Sequence, residues 1–139
     1  MMRRIVPDVV SNQDLLTLPQ SATVEQAAIR MAERHVRSVM VVDADRLVGV
    51  FTGTDLIERV IAAGKGPKAT LLAEVMSTSP ETISPDRPAI EALRMMQAGG
   101  YRHLPVVHDS KLVAVLSRRD FIREEEEEID LEEKLWEEM

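Results

Sequence analysis

Two short stretches of the chain place a hydroxyl three residues before a carboxylate. They are VGVFTGTD at 48–55, with Thr52 and Asp55, and VAVLSRRD at 113–120, with Ser117 and Asp120. Each follows an apolar, β-branched run and precedes a helical pattern. The hydroxyl therefore stands at a strand exit and the carboxylate at a helix entry, where backbone N–H groups lack partners. An aspartate at such a place can accept both hydrogens of a ribose cis-diol, and a hydroxyl beside a helix N-terminus suits a phosphate. The same pair has a purely structural use, with Asp capping its helix and the hydroxyl closing its strand, worth about 0.5–2 kcal/mol. The spacing alone leaves both uses open.

Little else in the sequence could do chemistry. His35, His103 and His108 lack the i, i+4 or H-E-x-x-H spacing of a metal site. His35 and His108 are expected to face solvent. Gly64, Lys65 and Gly66 do not make a phosphate-binding P-loop, and neither G-x-S-x-G nor G-x-G-x-x-G occurs. With no cysteine, disulfide frameworks, thiolate metal sites and Cys nucleophiles are excluded. The eight methionines are expected to fill core space. No catalytic machinery, metal site or required cofactor is expected.

The elements that carry the two motifs come as a repeat. A shift of 65 residues aligns 10–58 with 75–123 without a gap, with 12 identities in 49 positions, Val10/Val75, Arg37/Arg102, Asp55/Asp120 and Ile57/Ile122 among them. In the first copy Thr23 and Gln26 form a T-x-x-Q capping box. Val24, Ala27, Ala28, Met31 and Ala32 then recur with helical period and predict a helix over about 24–34. In the second copy Pro88 is assigned to the first helical turn, and Gly99-Gly100 ends the helix after Ala98. Strands follow at 39–42 and 47–51 around Asp43–Arg46, and at 104–107 and 112–116 around Asp109-Ser110. Second helices are expected from near Asp55 and near Asp120. GKGPKATL at 64–71 reads as a linker loop. At about 50 residues each, the copies are expected to share one core.

The order of a helix, RSVMVVD and LVGVFTGTDL in one copy, and RHLPVV and LVAVLSRRDF in the other, resembles the CBS (cystathionine β-synthase) domain, present as the tandem pair called a Bateman module. VMSTSPETISPD at 75–86 matches as well, and the resemblance covers about 10–123. It implies an α+β fold of two β-α-β-β-α repeats packed through their sheets into one pseudo-two-fold module, followed by an acidic amphipathic helix. The implied segments are 8–63, a linker at 64–71, 72–123 and the tail at 124–139. It also implies two clefts for adenine nucleotides (AMP, ADP, ATP or a related adenosyl ligand), each drawing on both repeats, with Mg2+ arriving on the phosphates.

Carried over residue by residue, one cleft uses Thr52, Thr54 and Asp55 with Tyr101, Arg102 and His103. The other uses Ser117, Arg119 and Asp120 with Val36 and Arg37, and Arg118 adds phosphate charge. The copies depart from each other at Gly49 against Ala114, where the extra Cβ is expected to narrow a cleft, at Met40 against Pro105, and at Thr54 against Arg119. The clefts are therefore expected to differ in charge preference. The implied protein is a non-catalytic sensor, a homodimer of pairs with an unidentified regulated protein partner. The rival readings are an assembly module with empty clefts and a nucleic-acid-associated regulator.

Charge sharpens these expectations. The net charge of −7 by itself argues against anionic ligands. Residues 124–139, however, hold ten acidic side chains and one lysine, a local −9, which leaves +2 on the other 123 residues. Ile129, Leu131, Leu135, Trp136 and Met139 fall on one helical arc of the tail, which is expected to continue the preceding helix and lay that stripe on the body or on a second copy. Aromatics are only 3%, too few for nucleic-acid stacking platforms, so nucleic acid is not an expected partner. No apolar run approaches a membrane span, and MMRRIVPDVV lacks the apolar stretch of a secretory signal, so a cytoplasmic protein is expected.

Overall fold

The computed structural model describes residues 3–9, 13–121 and 123–138. Val10, Ile122 and Met139, which entered the repeat alignment and the tail stripe, lie outside the described residues. The chain divides into two compact units, one of residues 14–80 and 109–112, the other of residues 1–13, 81–108 and 113–139.

In the first of these units, strand β1 (Thr17–Leu18) runs parallel to β2 (Ser38–Asp43), pairing Thr17 with Met40 and Leu18 with Val41. Between them, helix α1 (Val24–Arg34) opens on the expected capping box: the Gln26 N–H donates to Thr23 Oγ1 at 3.1 Å and the Thr23 N–H to Gln26 Oε1 at 2.9 Å. The 64–71 loop supplies further acceptors, because the Val24 and Glu25 N–H groups donate to the carbonyls of Thr70 and Pro67 at 2.9 and 3.1 Å. α1 ends where His35 turns left-handed at φ 54°. β2 pairs antiparallel with β3 (Arg46–Thr52) through a turn in which Ala44 and Asp45 both have positive φ, 49° and 67°. Helix α2 (Gly53–Asp55) leads into a wider-turned segment, Leu56–Ile61, where the Ala62 N–H reaches back to the Ile57 carbonyl at 2.8 Å. α3 (Leu72–Val75) and β4 (Ser77–Thr78) complete the unit, with β4 antiparallel to β3.

The close β3–β4 approach explains Gly49. A Cβ there would lie 2.5 Å from Met76 Sδ and 3.0 Å from the Ser77 carbonyl. Gly49 admits β4 rather than setting the width of a cleft, which corrects the expectation for that position. Ala114, its counterpart, is buried in the core of the other unit.

In the other unit, helix α4 (Ala89–Gly99) starts one residue later than expected. Pro88 has ψ 144°, so it occupies the extended N-cap position rather than the first turn. Gly100, left-handed at φ 71°, closes α4, and strands β5 (His103–His108) and β6 (Lys111–Ser117) flank Asp109 and Ser110 at φ 50° and 69°, residues 109–112 being grouped with the first unit. The backbone thus repeats at the 65-residue shift: His35 and Gly100, Ala44 and Asp109, Asp45 and Ser110. The bridge of Ile83 to Val106 likewise repeats that of Leu18 to Val41.

The copies diverge after β6. Arg118–Asp120 make a single tight turn, Phe121 is extended at ψ 146°, and α5 (Arg123–Glu138) starts anew. The tail helix therefore does not continue a preceding one. It docks through Ile129, 3% exposed, and through Arg94–Glu132 and Arg3–Glu125 ion pairs, the latter at 2.7 Å. Leu131, Leu135 and Trp136 are left outward, the last 75% exposed, so most of the anticipated stripe is uncovered within the chain.

Buried side chains form two clusters, one in each unit. Each is completed by a segment from elsewhere in the chain. Leu72, Val75 and Met76 join Val24, Val39 and Phe51, while Ile5 joins Leu93, Leu104 and Leu116. Met31, Met76 and Met96 serve as core filler, as expected. Among the described residues no helix is long and apolar enough to cross a membrane.

Candidate functional site

The first hydroxyl-x-x-Asp is built by the β3–α2 junction. Thr52 leaves β3 extended, and the chain turns at once, which brings Asp55 back under it. Asp55 Oδ2 accepts from the Thr52 N–H at 2.9 Å and from Thr52 Oγ1 at 3.0 Å, while the Asp55 N–H donates to Thr52 Oγ1 at 3.2 Å. The carboxylate is only 9% exposed, and the Arg59 guanidinium stands 3.5 Å from Oδ1. Arg59 was not anticipated, although its position four residues after Asp55 on a helical segment is a readable signal. The Gly53 N–H donates to the Arg37 carbonyl at 3.0 Å, so Arg37 borders this same junction, with its side chain exposed. Val36 is half-buried against the unit's core, and Thr54 is exposed.

The second motif is built more loosely. The Ser117 N–H donates to Asp120 Oδ2 at 2.7 Å, but no arginine follows four residues later, since position 124 is Glu. Arg118 and Arg119 stand exposed on the turn itself. Arg3, 117 residues away and without any spacing signal, donates to the Asp120 carbonyl at 3.3 Å. The Tyr101 ring packs over Gly99, where any Cβ would overlap it, and against the unit's core. Arg102 is exposed and His103 half-buried at the start of β5. Burial, then the nearby Arg119 charge, hold the His103 ring below the usual imidazole value of 6.5; Asp120 acts in the opposite direction and Arg102 adds to the lowering.

The structure thus gathers Val36, Arg37, Thr52, Thr54 and Asp55 in one unit, and Tyr101, Arg102, His103, Ser117, Arg118, Arg119 and Asp120 in the other. Among the described residues, Arg37, Arg102, Arg118 and Arg119 make no ion pair or side-chain hydrogen bond. Arg3, Arg34, Arg59, Arg87 and Arg94 are paired. Beside the two motifs, then, Arg37, Arg102, Arg118 and Arg119 are unpaired while Arg59 is engaged by Asp55; Arg4, Arg30 and Arg46, away from the motifs, are unpaired among the described residues as well. A cavity of about 510 Å3 beside α1, between Leu18 and Ile29, contains none of these residues. No group of three or more potential metal ligands comes together among the described residues. His35 and His108 are exposed, as expected.

Two copies of a β-α-β-β unit, each ending in a hydroxyl-x-x-Asp turn at the exit of its last strand, define a tandem α+β repeat protein. The profile of the CBS domain matches residues 6–62 and 72–127, and the chain belongs to the CBS-domain family. It is 42% identical over 102 residues to the CBS domain-containing protein CBSCBSPB2 of Arabidopsis thaliana, a match covering 73% of this chain and 19% of that protein. The chain therefore spans about a fifth of the length of that relative. Among solved structures, the CBS domain protein PAE2072 from Pyrobaculum aerophilum, complexed with AMP, superposes with a TM-score of 0.80 at 25% identity, covering 93% of this chain and 99% of that one. A hexameric CBS-CP12 protein from bloom-forming cyanobacteria superposes with a TM-score of 0.75 at 26% identity, covering 86% and 66%.

Proposed function

We propose that this chain is a non-catalytic regulatory module that binds an adenine nucleotide, with Asp55 and Asp120 holding ribose hydroxyls and the neighbouring arginines holding phosphate. The observation that carries this reading is the set of uncompensated arginines, Arg37, Arg102, Arg118 and Arg119, beside the two hydroxyl-x-x-Asp turns of a CBS fold. The AMP complex of the Pyrobaculum protein supports the nucleotide class. A ligand would act by binding one arrangement of the module better than another, and could shift it only by that difference. Mg2+ would arrive on the phosphates of a di- or triphosphate. Self-association belongs to the same reading, because Ile57, Ile61, Leu131 and Leu135 are exposed on single chains. Calorimetric titration of AMP, ADP, ATP, NAD and S-adenosylmethionine against the chain and its Asp55→Ala and Asp120→Ala variants tests the site. Loss of at least tenfold in affinity in one variant is expected, and unchanged affinity in both would refute the assignment.

An assembly module with empty sites draws support from one observation. In the first repeat Asp55 is already satisfied by Thr52 and Arg59 as a cap. If that reading holds there, Asp55→Ala lowers stability without touching nucleotide affinity, and any bound nucleotide depends on Asp120.

A further inference from the structure

We propose that the second repeat is a proton-coupled site for polyphosphate, in which His103 takes up a proton as the anion arrives and joins Arg102, Arg118 and Arg119 around it. The inference rests on the nucleotide reading above and adds the charge class of the ligand and its control by pH. β5 begins at His103 and β6 ends at Ser117, and the two-residue turn between them places those ends together at the open end of the hairpin. Two arginines without ion pairs, Arg119 and Arg102, therefore act on one half-buried imidazole, and Arg118 stands exposed on the same turn as Arg119. Among the described residues Asp120 is the one carboxylate acting on that imidazole, and its Oδ2 is engaged by the Ser117 N–H. The first repeat keeps Arg37 as the counterpart of Arg102, but Ser38, Gly53 and Thr54 stand where the second has His103, Arg118 and Arg119, and its turn aspartate is paired with Arg59.

The proton balance follows from this arrangement. Without ligand, burial and the charges of Arg119 and Arg102 keep the ring neutral at pH 7, while Asp120 opposes them. A polyphosphate cancels the arginine charge and sets its own negative charge beside the ring, which favours the imidazolium. The bound ring then titrates above the free ring, so affinity rises as pH falls between the two values, by at most about tenfold per pH unit. A monophosphate brings less charge and gains less.

The test uses the full chain with ATP and AMP, both without Mg2+, titrated calorimetrically from pH 8.0 to 5.5 in two buffers of different ionisation enthalpy. His103→Gln runs in parallel and keeps hydrogen-bonding capacity without titration. The ligand's own protonation appears in both proteins and cancels in the comparison. The expected result is that the wild type takes up more protons on binding ATP than His103→Gln does, and that its preference for ATP over AMP widens at low pH only in the wild type. Equal proton uptake and parallel pH profiles, with nucleotide still bound, would overturn the inference and leave the proposed function standing. Absence of binding by either nucleotide at every pH would instead overturn the proposed function, and the inference with it. Should His103→Gln fold poorly, NMR of the wild-type histidine ring protons decides: one ring is expected to titrate below 6.5 in the free protein and higher with inorganic tripolyphosphate, and a ring indifferent to tripolyphosphate contradicts the proposal.

Discussion

At the scale of single residues, the two turn aspartates look alike in sequence and differ in their surroundings. Asp55 is nearly buried, accepts from Thr52 and faces Arg59, whereas Asp120 accepts from the Ser117 N–H and has no arginine four residues on. Asp55→Ala should therefore cost more stability, about 1–3 kcal/mol by urea denaturation, because it strands the Thr52 N–H and removes the carboxylate facing Arg59, which then keeps its bonds to the Val75 and Met76 carbonyls. Asp120→Ala should cost about 1 kcal/mol, as for an ordinary cap. His103 carries a pH signature of its own. Since the folded ring titrates below its usual 6.5, the unfolded chain binds more protons as pH falls through that value. The wild type should lose stability as pH falls through 6.5 toward the folded value, and His103→Gln should flatten that part of the profile. The hydroxyl, the carboxylate and the flanking arginines were legible because their types and spacing are local. Arg3 beside the Asp120 carbonyl was not, because tertiary packing alone joins residues so far apart in the chain.

At the scale of elements, the period of the apolar residues and the capping box fixed the bounds of α1, and β-branched runs found both hairpins to within a residue or so. What the sequence could not show was how segments outside the repeats are used. Gly49 matters because β4 and Met76 press against β3, so Gly49→Ala should cost about 1–3 kcal/mol by thermal or chemical denaturation, while Ala114→Gly in the other hairpin relieves no overlap. Helical periodicity predicts a tail continuous with its neighbour because it ignores a single extended residue such as Phe121. Its anchorage is narrow. Ile129→Ala should loosen α5 at a cost of about 2–4 kcal/mol if the tail unfolds together with its unit, read as an early transition in hydrogen exchange. Leu131→Ala, on the exposed face, should leave the folded chain within about 0.5 kcal/mol of wild type.

At the scale of the whole molecule, the charge that first argued against anionic ligands sits on α5, while uncompensated arginines stand at the two turns. Composition alone could not separate these, because net charge carries no position. The repeat was visible in the sequence, but the two clusters of buried residues were not, since Leu72, Val75 and Met76 and, in the other unit, Ile5, Val6 and Val9 complete cores that their place in the chain does not announce. The central claim is that turn aspartates of a CBS fold hold a ribose diol here. It is tested most directly by comparing AMP with 2′,3′-dideoxy-AMP in the wild type, Asp55→Ala and Asp120→Ala. The account predicts that the wild type favours AMP by tenfold or more, equivalent to about 1.4 kcal/mol, and that one of the two variants loses that preference. Equal affinity of the wild type for AMP and its dideoxy analogue would contradict it.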